Sequence, residues 1–579
     1  PATNDSPGTD NQPQPSAPGA AAAVLSVQSL KTLRLDWTDV EGTTHYVLLE
    51  NPDGQSGFQT VADDIQPGVE SISVELSLHL TPDAQYIVQS CNDIGCTDSN
   101  TLLVSEQLTA LIGFIKPKDV HHASFFGGDV TLSADGNTLA VGADQARDIK
   151  NGNSNKVGIV YVFTKAEDGL WQQSDALLAN ATGDNDSFGR SVALSADGKT
   201  LIVGAHSEDS NSTVVNGDDT NNDAPNSGAV YVFTHSGTDW NQVAYIKANN
   251  ANEGDRFGTD VAVNQDGTWL VVGAPGERSN SRVINGEQNN NATNAGAVYV
   301  FELIEETWQQ QAYIKAKDAA GDEFFGQTVS LDNAGQTLAV GAIREDSSAV
   351  GVNGDAFNNE ANKSGAVYIY VREEDTWAEQ AFVKASNTSA GDNFGQTLSL
   401  SGDGNTLAVA AVNEASSATG IDGEQAFDDA PVAGAVYVFV RTEADWVQQA
   451  YLKASNTDAN DSFGIALSLS STGDLLAIGA SAESSNAVGI NGNQFDNTAR
   501  AGATYVFERS GTQWAQKAYL KASNTGEGDR FGISVALNSD GTTLAVGASS
   551  EQSNAKGTDA DADAQADNSV SSRGVVYLF

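Results

Sequence analysis

The chain has 579 residues, 76 acidic against 29 basic, and a net charge of −47 at pH 7. That charge repels nucleic-acid phosphate and anionic membrane surfaces, and no run of eighteen apolar residues offers a membrane-spanning helix. The length exceeds one ordinary hydrophobic core, so the fold must be modular. Methionine is absent even at position 1, which predicts an exported chain whose signal has been removed. The acidity reads either as solvation of an extracellular protein or, in part, as a means of collecting divalent cations.

Residues 1–22 are Pro, Ala, Gly, Ser and Asn with almost nothing to bury, which predicts a flexible tether. Residues 23–107 differ from all that follows. LRLDWTDVEGTTHYVLLENPDG and AQYIVQSCNDIGCTDSNTLLV each alternate apolar and polar residues across turn signals, the pattern of paired strands. With Trp37 on an early strand and Tyr86 opening the late strand before Asn92-x-x-Gly95, the segment resembles a fibronectin type III domain. That resemblance implies a β-sandwich. Cys91 and Cys96 flank the hairpin tip, and in an oxidising compartment they are expected to close a disulfide. A redox or metal couple is the alternative, with no His nearby in sequence to join it.

From residue 108 onward the chain repeats. Phe-Gly anchors stand at Phe126, Phe188, Phe257, Phe325, Phe394, Phe463 and Phe531, spaced 62, 69, 68, 69, 69 and 68 residues apart. Each repeat reads Phe-Gly, an alternating segment such as SVALS, a turn, TLAVGA, a long polar loop, GAVYVF, and a segment like WNQVAYIKA. Short runs rich in Val, Tyr, Phe, Ile and Leu between Gly, Asp and Asn clusters predict four strands per repeat. Seven such units predict an all-β fold, a seven-bladed β-propeller. The last copy stops at VVYLF579 without a fourth strand, and LTALIGFIKP at residues 108–117 precedes the first Phe-Gly where that strand belongs. A strand from each end therefore closes the ring, leaving no exposed edge.

Gly273-Ala274-Pro275 after Phe257-Gly258 spells Phe-Gly and Gly-Ala-Pro, and the region resembles the FG-GAP repeats of integrin α-subunit propellers and their bacterial relatives. The resemblance implies a seven-bladed propeller and a role in recognition or adhesion. In that family Ca²⁺ occupies a DxDxDG-like loop between the first two strands. Here the loops read SADGN, SADGK, NQDGT, SGDGN and NSDGT, the chemistry of tight turns, so calcium at that position is not expected.

Strand direction places the loop before Phe-Gly and the loop after the second strand on one face. Asp186, Asp255, Asp322, Asp392, Asp461 and Asp529 precede Phe-Gly; Glu208, Glu277, Glu345, Glu414, Glu483 and Glu551 follow Gly-Ala. Together they predict a carboxylate ring around one mouth of the channel. Either they cap turns and pair with Lys247, Lys315, Lys384, Lys453 and Lys521 at partly exposed sites, or they bind Ca²⁺, a hard cation that favours oxygen ligands. The first repeat, with Asp144-Gln145-Ala146, lacks the pair.

The long second-to-third loops carry a recurrent turn at Asn216, Asn285, Asn353, Asp422 and Asn491. The last copy holds Asp559, Asp561, Asp563 and Asp567 at spacings that suit either a Ca²⁺ loop or a plain acidic loop. His121-His122 is the clustered histidine pair; polar loop residues and a metal or base site are its two readings. Trp171, Trp240, Trp308, Trp377, Trp446 and Trp514 open the fourth strands, where they pack the sheet or stack on sugar. The leading expectation is an exported, non-enzymatic recognition or adhesion protein, monomeric unless part of a surface assembly. It would bind an extracellular protein or glycan through its long-loop face, with help from Ca²⁺. The alternatives are a polysaccharide-active enzyme built on the carboxylates and a structural subunit of a surface assembly.

Overall fold

A computed structural model describes residues 16–118, 125–147, 156–166, 169–181, 183–495, 498–558, 562–566, 568 and 573–579. It divides into two compact units, Pro1–Leu111 and Ile112–Phe579.

The first unit holds two antiparallel sheets. One orders Ala23–Ser29, Thr32–Trp37 and Ser71–Glu75; the other orders Gln59–Ile65, His45–Asn51, Gln85–Asn92 and Gly95–Asp98, with Leu102–Leu103 also pairing to Gln85–Asn92. Alternate residues face inward, as the period of two requires: Leu33, Leu35 and Trp37 from one sheet, Tyr46, Leu48, Tyr86 and Val88 from the other. Trp37 and Tyr46 pack ring against ring at 5.6 Å. Cys91 lies opposite Cys96 across the hairpin, and the two are joined by a disulfide. The described end of the expected tether is ordered, because the hairpin offers it donors: Asn92 Nδ2 donates to the Ser16 carbonyl at 3.0 Å and Thr97 Oγ1 to that of Pro18 at 2.6 Å. The unit also runs beyond residue 107, since the Lys31 N–H donates to the Leu111 carbonyl.

The second unit repeats one four-stranded antiparallel sheet. In the third copy the strands are Val261–Val263, Trp269–Ala274, Ala297–Ile304 and Thr307–Ile314, in that order. Sheets of the same order begin at Asp129, Ser191, Phe325, Phe394 and Phe463. The sheet that begins at Ser534 takes its outer strand from Gly113–Ile115, with Phe114 opposite Tyr577 and Ile115 opposite Val576. Second strands such as TLAVGA are apolar throughout because both of their faces are covered. Each core lies between successive sheets: Ile202, Val230 and Ile246 of one pack with Phe257, Val272 and Tyr299 of the next.

At the inner end of each sheet a chain of backbone hydrogen bonds links the first hairpin turns. Ala134 donates to Ala196 (3.0 Å), Ala196 to Gln265 (2.9 Å), Gln265 to Asn333 (3.1 Å) and Asn333 to Gly402 (3.0 Å). Gly402 donates to Ser471 (2.9 Å), Ser471 to Ser539 (2.9 Å), and Ser539 back to Ala134 (3.2 Å). The turns themselves are held by their single Asp, as in Ser133 Oγ to Asp135 at 2.6 Å and Ser401 Oγ to Asp403 at 2.6 Å.

Candidate functional site

The Phe-Gly corner explains the repeat's glycines. Phe257 is buried edge-on against Tyr299 and Phe301 of its own sheet, 5.4 and 6.1 Å between ring centres. Gly258 sits at φ +86°, and a Cβ there would stand 2.4 Å from the Ala229 carbonyl oxygen of the preceding sheet. A Cβ on Gly204, at the end of that sheet's second strand, would stand 2.2 Å from the Gly258 oxygen. Phe-Gly and Gly-Ala are thus the two sides of one backbone-to-backbone contact between sheets. Gly547 meets Gly127 in the same way, at 2.2 Å.

Beside each corner lies a buried ion pair. Glu208, Glu277, Glu345, Glu414 and Glu483 accept from Lys247, Lys315, Lys384, Lys453 and Lys521 at 2.6, 2.8, 2.6, 2.9 and 2.7 Å. Glu551 accepts at 2.5 Å from Lys116, supplied by the segment that completes the last sheet. These pairs are not partly exposed, as expected from the sequence, but shut away between loop and sheet. Burial pulls the lysines below their ordinary value and the facing glutamate pulls them back, as at Lys315 and Lys453. The second carboxylate oxygen is also occupied. Glu414 Oε1 accepts from Tyr451 (3.0 Å) and Asn387 (3.1 Å), and Glu483 Oε1 from Tyr519 (2.8 Å) and Asn456 (3.0 Å). Both oxygens of these carboxylates are thus engaged by protein donors, and the lysine ammonium supplies their countercharge.

The aspartates before Phe-Gly cap their own turns. Asp186, Asp255, Asp392 and Asp461 accept from the N–H of Gly183, Asn252, Ser389 and Asp458 at 2.8, 2.8, 2.8 and 3.0 Å. Desolvation pushes Asp255 up to about 7, reinforced by the nearby Glu277 charge. Asp392 and Asp529 are raised to about 7 for the same reason, and Asp186 to about 6. Asp322 is a correction: it is exposed, and its neighbour Glu323 occupies the buried position, capping Ala320 at 3.0 Å. In that repeat Asp318 replaces the Asn found elsewhere and accepts from Tyr368 Oη at 2.5 Å; burial raises both acids, reinforced by the Glu345 charge at Asp318 and by the Asp318 charge at Glu323.

The expected carboxylate ring is therefore not formed by these residues: of the twelve, all but the exposed Asp322 are buried. Residues just after Phe-Gly from successive repeats line a cavity of about 320 Å³ instead. Asp129, Arg190, Asp260, Gln327 and Gln396 are among its polar lining, and Ile465 and Ile533 among its apolar lining. Both acids tie neighbouring first strands together: Asp129 accepts from the Val192 N–H at 2.8 Å and Asp260 from that of Val329 at 2.7 Å. Sequence reasoning missed this set, because the position after Phe-Gly differs in type from copy to copy.

The long loops are ordered by the recurrent Asn or Asp. Asn285 has φ +55°, a region short polar side chains tolerate. Its N–H donates to the Tyr313 carbonyl at 2.7 Å and its Oδ1 accepts from the Tyr313 N–H at 2.8 Å, pinning the loop to the fourth strand. Asn216, Asn353, Asp422 and Asn491 repeat this on Tyr245, Phe382, Tyr451 and Tyr519. Beyond the pin the loops lean onto the segment after the preceding sheet's fourth strand, Gln425 Oε1 accepting from Ser386 Oγ at 2.8 Å and Gln494 Nε2 donating to Ser455 Oγ at 3.0 Å. From these loops Phe357, Phe427 and Phe495 project 60, 58 and 77% exposed.

Trp308, Trp377, Trp446 and Trp514 are buried, and Trp446 and Trp514 donate to Gln380 and Gln449 of the preceding sheet at 2.8 and 2.9 Å. That is the packing role; stacking on sugar is closed to them. His121-His122 and the acidic positions Asp559, Asp561 and Asp567 lie outside the described residues, as does the side chain of Asp563. Among the described residues no group of three His, Cys, Asp or Glu is arranged to hold a metal, and no helix is long and apolar enough to cross a membrane.

A family model described as FG-GAP repeat matches residues 171–233, 240–301, 308–370, 446–507 and 514–579, more than half of the chain. No curated protein matches in sequence. Among solved structures, the WD40 repeats of RRP9 are similar at 9% identity with a TM-score of 0.41, over 81% of this chain and 96% of that one. The Dos1 propeller is similar at 9% identity and a TM-score of 0.37, over 82% of this chain and 96% of that one. An Fn3-like protein from Clostridium thermocellum aligns at 21% identity over 15% of this chain and 88% of its own, with a TM-score of 0.12. Repeats and four-stranded sheets together describe a β-propeller-like, all-β fold.

Proposed function

We propose, from the premise that this chain belongs to the FG-GAP repeat family, that it is an exported recognition or adhesion protein which binds a protein or glycan through its long-loop face. The observation that carries this reading is the long loops themselves. They are pinned to their sheets at both ends by hydrogen bonds and buried ion pairs, yet hold large apolar side chains out in water. Ordered loops that hold large apolar side chains out in water at recurring positions are suited to binding a partner.

On the same reading, the seven sheets are blades of one closed propeller. The hydrogen-bond series that returns from Ser539 to Ala134 and the pairing of Gly113–Ile115 with Val575–Leu578 support it. The first unit is read as a fibronectin type III-like spacer; the Trp37–Tyr46 core and the paired sheets support that. Calcium enters this proposal only through the acidic run holding Asp559, Asp561, Asp563 and Asp567, because the glutamates are already paired with lysines.

The test is to replace residues 355–360 and 424–429 with glycine and serine, leaving the Glu345 and Glu414 clamps intact. Capture of ligand from extracellular matrix or from a glycan panel should be lost while the melting temperature stays within a few degrees. Capture that survives the replacement overturns the proposal.

A further inference from the structure

Phe357, Phe427 and Phe495 occur in three successive repeats, at nearly the same place four or five residues beyond the pinned Asn353, Asp422 and Asn491. The two preceding repeats carry Thr220 and Asn289 at the corresponding place, so the aromatic is not a requirement of the fold. The backbone at the tips is held by local hydrogen bonds. The Phe357 N–H donates to Asp355 Oδ1 at 2.9 Å, the Phe495 N–H to Asn493 Oδ1 at 3.2 Å, and the Ala426 N–H to Glu424 Oε1 at 3.1 Å. Phe495 borders a shallow, open cavity of about 530 Å³ whose other walls are Asn456, Asp458, Gly492, Asn493 and Gln494.

The surroundings of these rings decide what they take. The apolar core of a protein interface is contiguous and depleted in charge. Here the chain on the far side of each ring is polar, with Asp428 and Asp429 after Phe427, and Asn358, Asn359 and Glu360 after Phe357. One flat apolar surface ringed by hydrogen-bonding groups matches a sugar, which has an apolar C–H face and a rim of hydroxyls. Three equivalent rings on three successive repeats match a polymer whose units also repeat, and binding at several rings multiplies a weak single contact. The net charge of −47 opposes an acidic polymer.

We propose that an uncharged polysaccharide lies across the loops of these three repeats, stacking sugar rings on Phe357, Phe427 and Phe495, with Asn, Gln and Asp side chains taking its hydroxyls. This rests on the reading of the long-loop face as the binding face and names its ligand class.

The test runs the full chain on native gels cast with laminarin, galactomannan or xyloglucan, which are uncharged, or with alginate or heparin, which are acidic. At least one uncharged polymer should retard the protein and neither acidic one should. Phe357→Ala, Phe427→Ala and Phe495→Ala combined should weaken that retardation at least tenfold without moving the melting temperature, and Phe→Trp at all three should retain it. No retardation by any uncharged polymer, retardation by the acidic ones, or a triple-alanine variant equal to the parent each overturns the inference. If a protein ligand is instead captured, and the loop replacement abolishes its capture, the ligand class is wrong and the binding face stands. If neither is captured, both readings fall.

Discussion

Asp255, Asp392 and Asp529 stand two residues before a Phe-Gly, buried, with one backbone N–H each to favour their ionised form and burial against it. Burial wins, and each rises from an ordinary 3.8 to about 7. A carboxyl whose value is raised on folding contributes stability that is full below its unfolded value and is lost as pH climbs through the folded one. The melting temperature should therefore fall between about pH 4 and pH 8, a trend that relief of the overall negative charge at low pH reinforces. The specific part is separable. Asn keeps the turn cap through its own oxygen and carries no charge, so Asp255→Asn, Asp392→Asn and Asp529→Asn together should raise the melting temperature at pH 8 and not at pH 4.5. Calorimetry at the two pH values decides it; an equal change at both would assign the effect to packing instead.

Between elements, the buried glutamate–lysine pair is the part that binds long loop to sheet. Glu277 follows the second strand and Lys315 the fourth, and Lys315 Nζ also donates to the Gly296 carbonyl at 2.5 Å, where the loop re-enters the third strand. One cation thus holds both ends of the loop. Removing one member strands a charge in a dry site, so Lys315→Met or Glu277→Leu alone should cost about 3–5 kcal/mol. The double substitution should cost markedly less than the sum, because two apolar groups replace two ions that no longer need each other. Unfolding of the four proteins in urea measures the coupling, and simple additivity would show that the pair does not act as a unit.

At the scale of the molecule, the sheet at the end of the chain depends on a strand from its beginning. Phe114 lies opposite Tyr577 with rings 5.7 Å apart, Lys116 pairs with Glu551, and Lys116 Nζ donates to the Ser553 carbonyl at 2.7 Å. Phe114→Ala should cost about 3–5 kcal/mol. Its local signature should be faster amide exchange in Val575–Leu578 before any change in the sheet that begins at Phe394, which exchange mass spectrometry resolves. Uniform acceleration across all sheets would mean that stability here is global rather than seated at the join.

How much of this was legible in the sequence depended on whether neighbours in space were neighbours in the repeat. The spacing of Phe-Gly anchors and the orphan segment at 108–117 predicted the sheets and their last pairing, because a period of two and a missing strand are properties of the chain itself. The disulfide was legible for the same reason, its cysteines facing each other across one hairpin. Burial was not legible: a glutamate thirty-nine residues from its lysine reads as a surface charge until the loop between them is folded back. Nor was the frame of Asp322 and Glu323, two acids side by side of which packing chose the second. The cavity lining and the exposed phenylalanines were missed because comparison of copies rewards what recurs, whereas these positions differ from copy to copy. The sequence by itself determined the strands, their order and the glycines that let sheets touch, since these follow from local chemistry and copying. Only the tertiary structure decided which carboxylates meet water, because exposure belongs to the sheets packed together and to no segment alone.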